Sequence, residues 1–172
     1  MPEPEKNTAS RLQRIAGWLC PEEIILDLDV DERKQALQAA AAAIGRKHGL
    51  DPAPVFRALW RREQVGSTAL GQGVAIPHAR IVGIERPLTL FMRPKQAIPF
   101  DAPDGKPVSS LLTIMVPADG ATDDHLELLA LVAQMFSDPS FRSRLSSTSD
   151  EGEAQRTFRE WADEVAMRSP GS

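Results

Sequence analysis

The stretch Gly71-Gln72-Gly73-Val74-Ala75-Ile76-Pro77-His78-Ala79-Arg80 delivers one histidine from the end of a short apolar run through a rigid proline. Glycines at 71 and 73 permit backbone conformations that other residues avoid, while Pro77 fixes its own φ and pushes Ile76 toward extended geometry. The His78 imidazole therefore leaves the chain in a defined direction. A histidine held this way either hydrogen-bonds at a strand end or serves as a nucleophile. Upstream, Arg61-Arg62-Glu63-Gln64-Val65-Gly66-Ser67-Thr68 supplies guanidinium and hydroxyl groups of the kind that bind phosphate. A neutral imidazole, with an ordinary pKa of ~6.5, is nucleophilic near neutral pH, and the phosphoramidate it forms remains reactive enough to pass the group on. Because phosphoryl transfer runs through a loose, in-line transition state, the protein has mainly to position groups and neutralise charge.

Arg62-Glu63, Gly66-Ser67-Thr68, Gly71-Gln72-Gly73 and Ala75-Ile76-Pro77-His78, in this order and spacing, resemble the enzyme IIA family of the bacterial phosphoenolpyruvate-dependent phosphotransferase system, fructose/mannitol type. The nitrogen-regulatory branch is the most similar. The similarity runs from about Ile24 through Val165 and includes Val108 to Pro117 and a helix carrying His125.

The resemblance implies an α/β domain of three α/β/α layers around a mixed β-sheet, with His78 phosphorylated on Nε2 as a tele-phosphohistidine. It implies that Arg62 holds the phosphate or orients the donor, and that His125 lies near the phosphorylated ring. From the residues alone, Arg61 could replace Arg62, and His125 could be a surface histidine between Asp124 and Leu126. Ser67 and Thr68 either bind phosphate or cap a turn. Two positions depart from the common pattern. Ala79 follows the histidine where glycine is frequent, putting a positive-φ turn there in doubt, and Gln72 stands where asparagine is common.

His48 precedes Gly49 at an expected helix end, where exposed carbonyls favour a cation, so it reads as a cap. The 47-residue separation of His78 from His125, with no cysteine near either, gives a zinc site only weak support, and neither metal nor cofactor is expected. The single cysteine, Cys20, beside Trp18 and Leu19, reads as a packed thiol.

A chain of 172 residues fits one domain, which at this size buries roughly two-thirds of the surface its unfolded chain exposes. With 20 basic and 24 acidic residues, a net charge of -4 and no basic block, nucleic acid is not an expected partner. No apolar run approaches the ~20 residues a membrane-spanning helix needs, and the Met1-Pro2-Glu3-Pro4-Glu5-Lys6 start lacks the order of a secretory signal. Membrane insertion is not expected, and the reading is cytoplasmic.

The elements that must position these groups are read from periodicity. Residues 1–10 are polar and proline-interrupted and read as a disordered tail, ahead of a domain over 11–168. Leu12, Ile15, Ala16 and Leu19 have helical spacing. Ile24 to Leu28 reads as a strand, Asp31 as the cap of an alanine-rich helix to Lys47, and Asp51-Pro52 as the start of a helix with Val55, Phe56, Leu59 and Trp60 on one face. Strands are expected at 73–77, 88–93, 98–100 and 111–116. Thr122 reads as the cap of a helix through Phe136 with Leu126, Leu129, Ala133 and Phe136 on one apolar face; Asp138-Pro139 starts another short helix, and a last helix spans Glu151 to Met167.

The leading functional reading is a regulatory phosphocarrier, charged by a histidine phosphocarrier protein and binding regulatory or transport targets according to its state. Alternatives are a sugar-specific IIA component that passes phosphate to a IIB domain, and a binding module without transfer. Phosphate on His78 would add negative charge to a rim expected to be exposed and apolar around Ile76 and Pro77, releasing a partner docked there.

Overall fold

A computed structural model of the protein describes residues 4–168, with side chains from Arg11 onward. Its elements in chain order are α1 (Pro4–Trp18), β1 (Glu23–Leu28), α2 (Arg33–His48), α3 (Pro52–Val65), β2 (Ala69–Gly71), β3 (Val74–Ala75), β4 (His78–Ile81), β5 (Leu88–Pro94), β6 (Ser110–Pro117), α4 (Thr122–Ser137), α5 (Pro139–Ser147) and α6 (Glu151–Ala166). The chain forms two compact units: residues 22–120, and the flanking segments up to Pro21 and from Ala121 onward. The first helix begins at Pro4, so residues 4–10 are helical in place of the expected disorder; the rest of that tail, residues 1–3, lies outside the described residues.

In the 22–120 unit the strands form one mixed sheet in the order β1-β5-β6-β3-β2, with β4 also paired to β6. β5 and β6 are antiparallel, whereas β1 on β5, and both β3 and β4 on β6, are parallel. Every residue of β6 is buried, as expected of the near-continuous apolar run Leu111-Leu112-Thr113-Ile114-Met115-Val116. The expected strand at 98–100 is reduced to a single bridge between Ile98 and Val108, since Pro99 cannot donate to a ladder.

The alanine-rich α2 packs closely because its inward residues are small: Ala36, Ala40, Ala41 and Ala43 are buried with Ile44. Gly45 continues this face, and a Cβ there would stand 2.8 Å from the Leu50 carbonyl oxygen. The helix ends at Gly49 in the left-handed region (φ 68°), its N–H donating to Gly45, with Arg46, Lys47 and His48 in the last turn. At its other end the N-cap is Glu32, without a side-chain cap bond, and not Asp31; the Asp31 N–H donates instead to Gln35 Oε1 at 2.7 Å. Asp51 caps α3 as expected, accepting from the Ala53 N–H at 3.1 Å.

The flanking unit is helical. α1 packs on α4 and α6, and Phe136, Phe141 and Phe158 meet edge to face, with centroids 5.2 and 5.3 Å apart about Phe141. The inward face of α4 is rotated from the expected one. Leu126 is 60% exposed, while His125, Leu128, Leu131, Val132, Met135 and Phe136 are buried. Leucine and alanine occur all along Leu126 to Ala133, so periodicity alone permits either stripe. The N-cap is Ala121, not Thr122, and Arg11 and Arg14 bind Asp124 at 2.8 and 3.2 Å, anchoring the first turn to α1.

Candidate functional site

His78 is presented at a break in a strand. β3 and β4 run along β6 in one register, Ala75 opposite Leu111 and His78 opposite Ile114, with Ile76-Pro77 between them. Ile76 turns its N–H to the Thr68 carbonyl at 3.0 Å, while the Pro77 carbonyl accepts the Ile114 N–H at 2.8 Å. Proline lacks an N–H, and it occupies the point where the neighbouring strand β2 has ended, so no ladder bond is lost there. His78 then opens β4, half-buried, with the exposed Arg80 on the same face of the strand.

Its ring is oriented by its own backbone: Nδ1 lies 2.9 Å from the Ile76 carbonyl oxygen. A carbonyl only accepts, so Nδ1 carries the proton and the lone pair sits on Nε2. Burial is the largest influence on the ring and pushes its pKa below the ordinary histidine value. The Ile76 bond pushes it up, Arg62 down, and Glu63 up. The neutral, nucleophilic form is therefore favoured at neutral pH.

The hairpin ahead of the histidine is built on left-handed residues: Gly71 (φ 93°), Gln72 (φ 59°) and Gly73 (φ 78°). The third position also needs a close approach, since a Cβ on Gly73 would stand 3.2 Å from Ser109 Oγ. Asp104 braces the turn by accepting the Gln72 N–H at 2.9 Å and the Lys106 N–H at 3.1 Å; these two bonds hold its carboxyl below the usual carboxylate range. Ala79 lies within β4 and shows no positive φ.

Arg62 acts electrostatically on His78 and is partly exposed, its Nη1 donating to the Gly66 carbonyl at 2.8 Å; Arg61 is exposed. The Ser67 hydroxyl donates to the Phe100 carbonyl at 2.5 Å and accepts the Ala69 N–H at 3.1 Å. Thr68, buried, donates its hydroxyl to Glu63 Oε2 at 2.6 Å. Both hydroxyl protons are thus committed within the fold, which supports the turn-capping reading over phosphate binding. His125 is 7% exposed in the first turn of α4, not a surface residue, and its N–H donates to Ala121 at 3.3 Å. His48 sits at its helix end with Nε2 2.6 Å from Glu22 Oε2. Cys20 is partly buried and burial pushes its thiol pKa up, against reactivity.

One expectation about this region changes. Ile76 is 4% exposed and Pro77 is buried, so they form no exposed apolar rim. In the 22–120 unit the exposed large apolar side chains are Val65, Leu70 and Val82. The residue that sequence reasoning passed over is Glu63. It lies at i+8 from Val55 on the buried face of α3, after Leu59, and a carboxylate on an apolar stripe was the available signal.

The family model of the phosphoenolpyruvate-dependent sugar phosphotransferase system, EIIA 2, matches residues 18–161, and the chain belongs to that family. It is 38% identical over 136 residues to a nitrogen regulatory protein of Bradyrhizobium diazoefficiens, which covers 79% of this chain and 88% of that protein. It is 36% identical over 135 residues to the nitrogen regulatory protein of Pseudomonas aeruginosa, 78% of this chain and 87% of the other. The crystal structure of the nitrogen regulatory protein IIA-Ntr from Neisseria meningitidis matches with a TM-score of 0.74 at 37% identity, over 88% of this chain and 99% of that one. The α/β class with a mixed sheet is that of these phosphoryl-transfer components. Among the described residues no helix is long and apolar enough to cross a membrane.

Proposed function

We propose that the protein is a cytoplasmic, nitrogen-regulatory phosphocarrier that takes a phosphoryl group onto Nε2 of His78 from a histidine phosphocarrier protein. The observation that carries this reading is the bond from His78 Nδ1 to the Ile76 carbonyl, which leaves the Nε2 lone pair available. In the transfer, that lone pair forms the new N–P bond as the donor's N–P bond breaks, and the donor nitrogen keeps the bonding electrons. Nδ1 retains its proton on Ile76, so the attacking ring gains positive charge as the bond forms. Arg62 would neutralise phosphate oxygens by leaving its bond to Gly66, and its guanidinium fork suits a planar pair of oxygens. His125 has an assisting role on the strength of the family resemblance.

Output follows from charge. A phosphate adds roughly -1.5 to -2 at pH 7 by analogy with other phosphorylated side chains, enough to repel or admit a regulatory target at the same surface. Phosphorylation with phosphoenolpyruvate, the first enzyme of the pathway and its phosphocarrier, followed by pull-down with each form, tests the reading. A target should bind the unmodified protein and His78→Ala alike and the phosphorylated protein differently. Indistinguishable binding of the two forms would leave relay without regulation.

A further inference from the structure

α3 buries Val55, Leu59 and Glu63 on one face, and the third of these is a carboxylate with 2% of its surface exposed. Burying a charge is costly unless donors converge on it. Here three do. The Thr68 N–H donates to Oε1 at 3.1 Å, the Thr68 hydroxyl donates to Oε2 at 2.6 Å, and Arg33 Nη1 stands 3.6 Å from Oε1. Arg33 is itself held over the Trp60 ring at 5.6 Å. Such a site is more than a helix end needs.

What the carboxylate grips leads directly to the histidine. Thr68, fixed at both its amide and its hydroxyl, presents its carbonyl to the Ile76 N–H at 3.0 Å, and the Ile76 carbonyl in turn receives Nδ1–H of His78 at 2.9 Å. We infer that Glu63 is a positioning residue for His78, setting through Thr68 and Ile76 both the direction of the ring and the nitrogen that carries its proton. The inference rests on the phosphocarrier reading only for its consequence in rate. Glu63 also favours positive charge on the ring, opposing burial and Arg62, which suits a nitrogen that becomes cationic during attack.

The test uses the full chain labelled with nitrogen-15, observing the His78 ring nitrogens by NMR across pH and measuring phosphorylation by the phosphocarrier. In wild type the neutral ring should carry its proton on Nδ1. Glu63→Gln should lower the His78 pKa, admit the Nε2–H tautomer and reduce kcat by about 10- to 100-fold with KM for the phosphocarrier unchanged, since the buried carboxylate does not touch the donor. Thr68→Val should reproduce the tautomer change and Thr68→Ser should restore the wild-type ring. If Glu63→Gln does not fold, Thr68→Val is read in its place. An unchanged tautomer and titration, or a changed ring with unchanged kcat, overturns the inference. If wild type itself takes no phosphate, the phosphocarrier reading fails, while the tautomer comparison still decides whether Glu63 positions the ring.

Discussion

Nδ1 of His78 lies 2.9 Å from the carbonyl oxygen of Ile76, two residues earlier and across a proline. The bond is short in sequence and depends on the strand break: Pro77 turns the chain so that the residue before it can accept from the residue after it. The consequence is chemical. One ring nitrogen is committed to the backbone and the other is left as a nucleophile, and burial keeps the ring below its ordinary pKa.

The pH dependence follows from that direction. Phosphoryl acceptance should fall as pH drops, with its midpoint below the ordinary histidine value of 6.5, as the half-buried ring protonates. Stability should behave in parallel. Below 6.5 the unfolded histidine binds a proton before the native one does, so the native state loses stability as pH falls across that window, and His78→Ala should lose less. Rate profiles and denaturation midpoints measured between pH 5 and 8 check both, and a rate that halves near pH 7 would contradict the lowered pKa.

Arg62→Ala should slow transfer by on the order of 10- to 100-fold and Arg61→Ala far less, with Arg62→Lys between, because lysine keeps the charge and loses the fork. Single-turnover rates at low and moderate salt are the measurement. Equal rates for wild type and Arg62→Ala would reduce Arg62 to the residue that caps Gly66.

His125→Ala should still take phosphate at His78, at a reduced rate. Because His125 is buried on α4, the variant should also lower the melting temperature, so rate must be compared below the unfolding transition. A wild-type rate in a destabilised variant would make His125 a core residue only.

Two backbone sites give predictions independent of chemistry. Gly45→Ala would place a Cβ 2.8 Å from the Leu50 carbonyl oxygen and should cost about 1–3 kcal/mol in chemical denaturation. Gln72 has a φ of 59°, where asparagine is more at ease than glutamine, so Gln72→Asn should stabilise by ~0.5 kcal/mol. No loss in the first or no gain in the second would contradict the backbone geometry described for α2 and the hairpin.

Much of this was legible in the sequence because local chemistry dictated it. Asp51-Pro52 specified a helix start, the apolar run of β6 a buried strand, and Pro77 before His78 a histidine presented in a defined direction, though the hairpin formed by β2 and β3 around Gln72 was not foreseen. What escaped was set by distant contacts. The face of α4 was ambiguous because an almost wholly apolar run carries no single stripe, and Arg11 binding Asp124 could not be seen from either segment alone. The exposed rim at Ile76 and Pro77 failed because both residues sit in register beside β6. By type Ser67 and Thr68 could bind phosphate or cap a turn, and the Phe100 carbonyl that takes the Ser67 hydroxyl lies 33 residues away, beyond the reach of local pattern.

The most direct measurement of the central claim is to phosphorylate the full chain with phosphoenolpyruvate, the first enzyme of the pathway and its phosphocarrier, and to map the acid-labile phosphate by mass spectrometry and phosphorus-31 NMR. The account predicts one phosphoryl group, on Nε2 of His78, absent in a folded His78→Ala variant. Label on His48 or His125, label on Nδ1 of His78, or label persisting in the variant would contradict it.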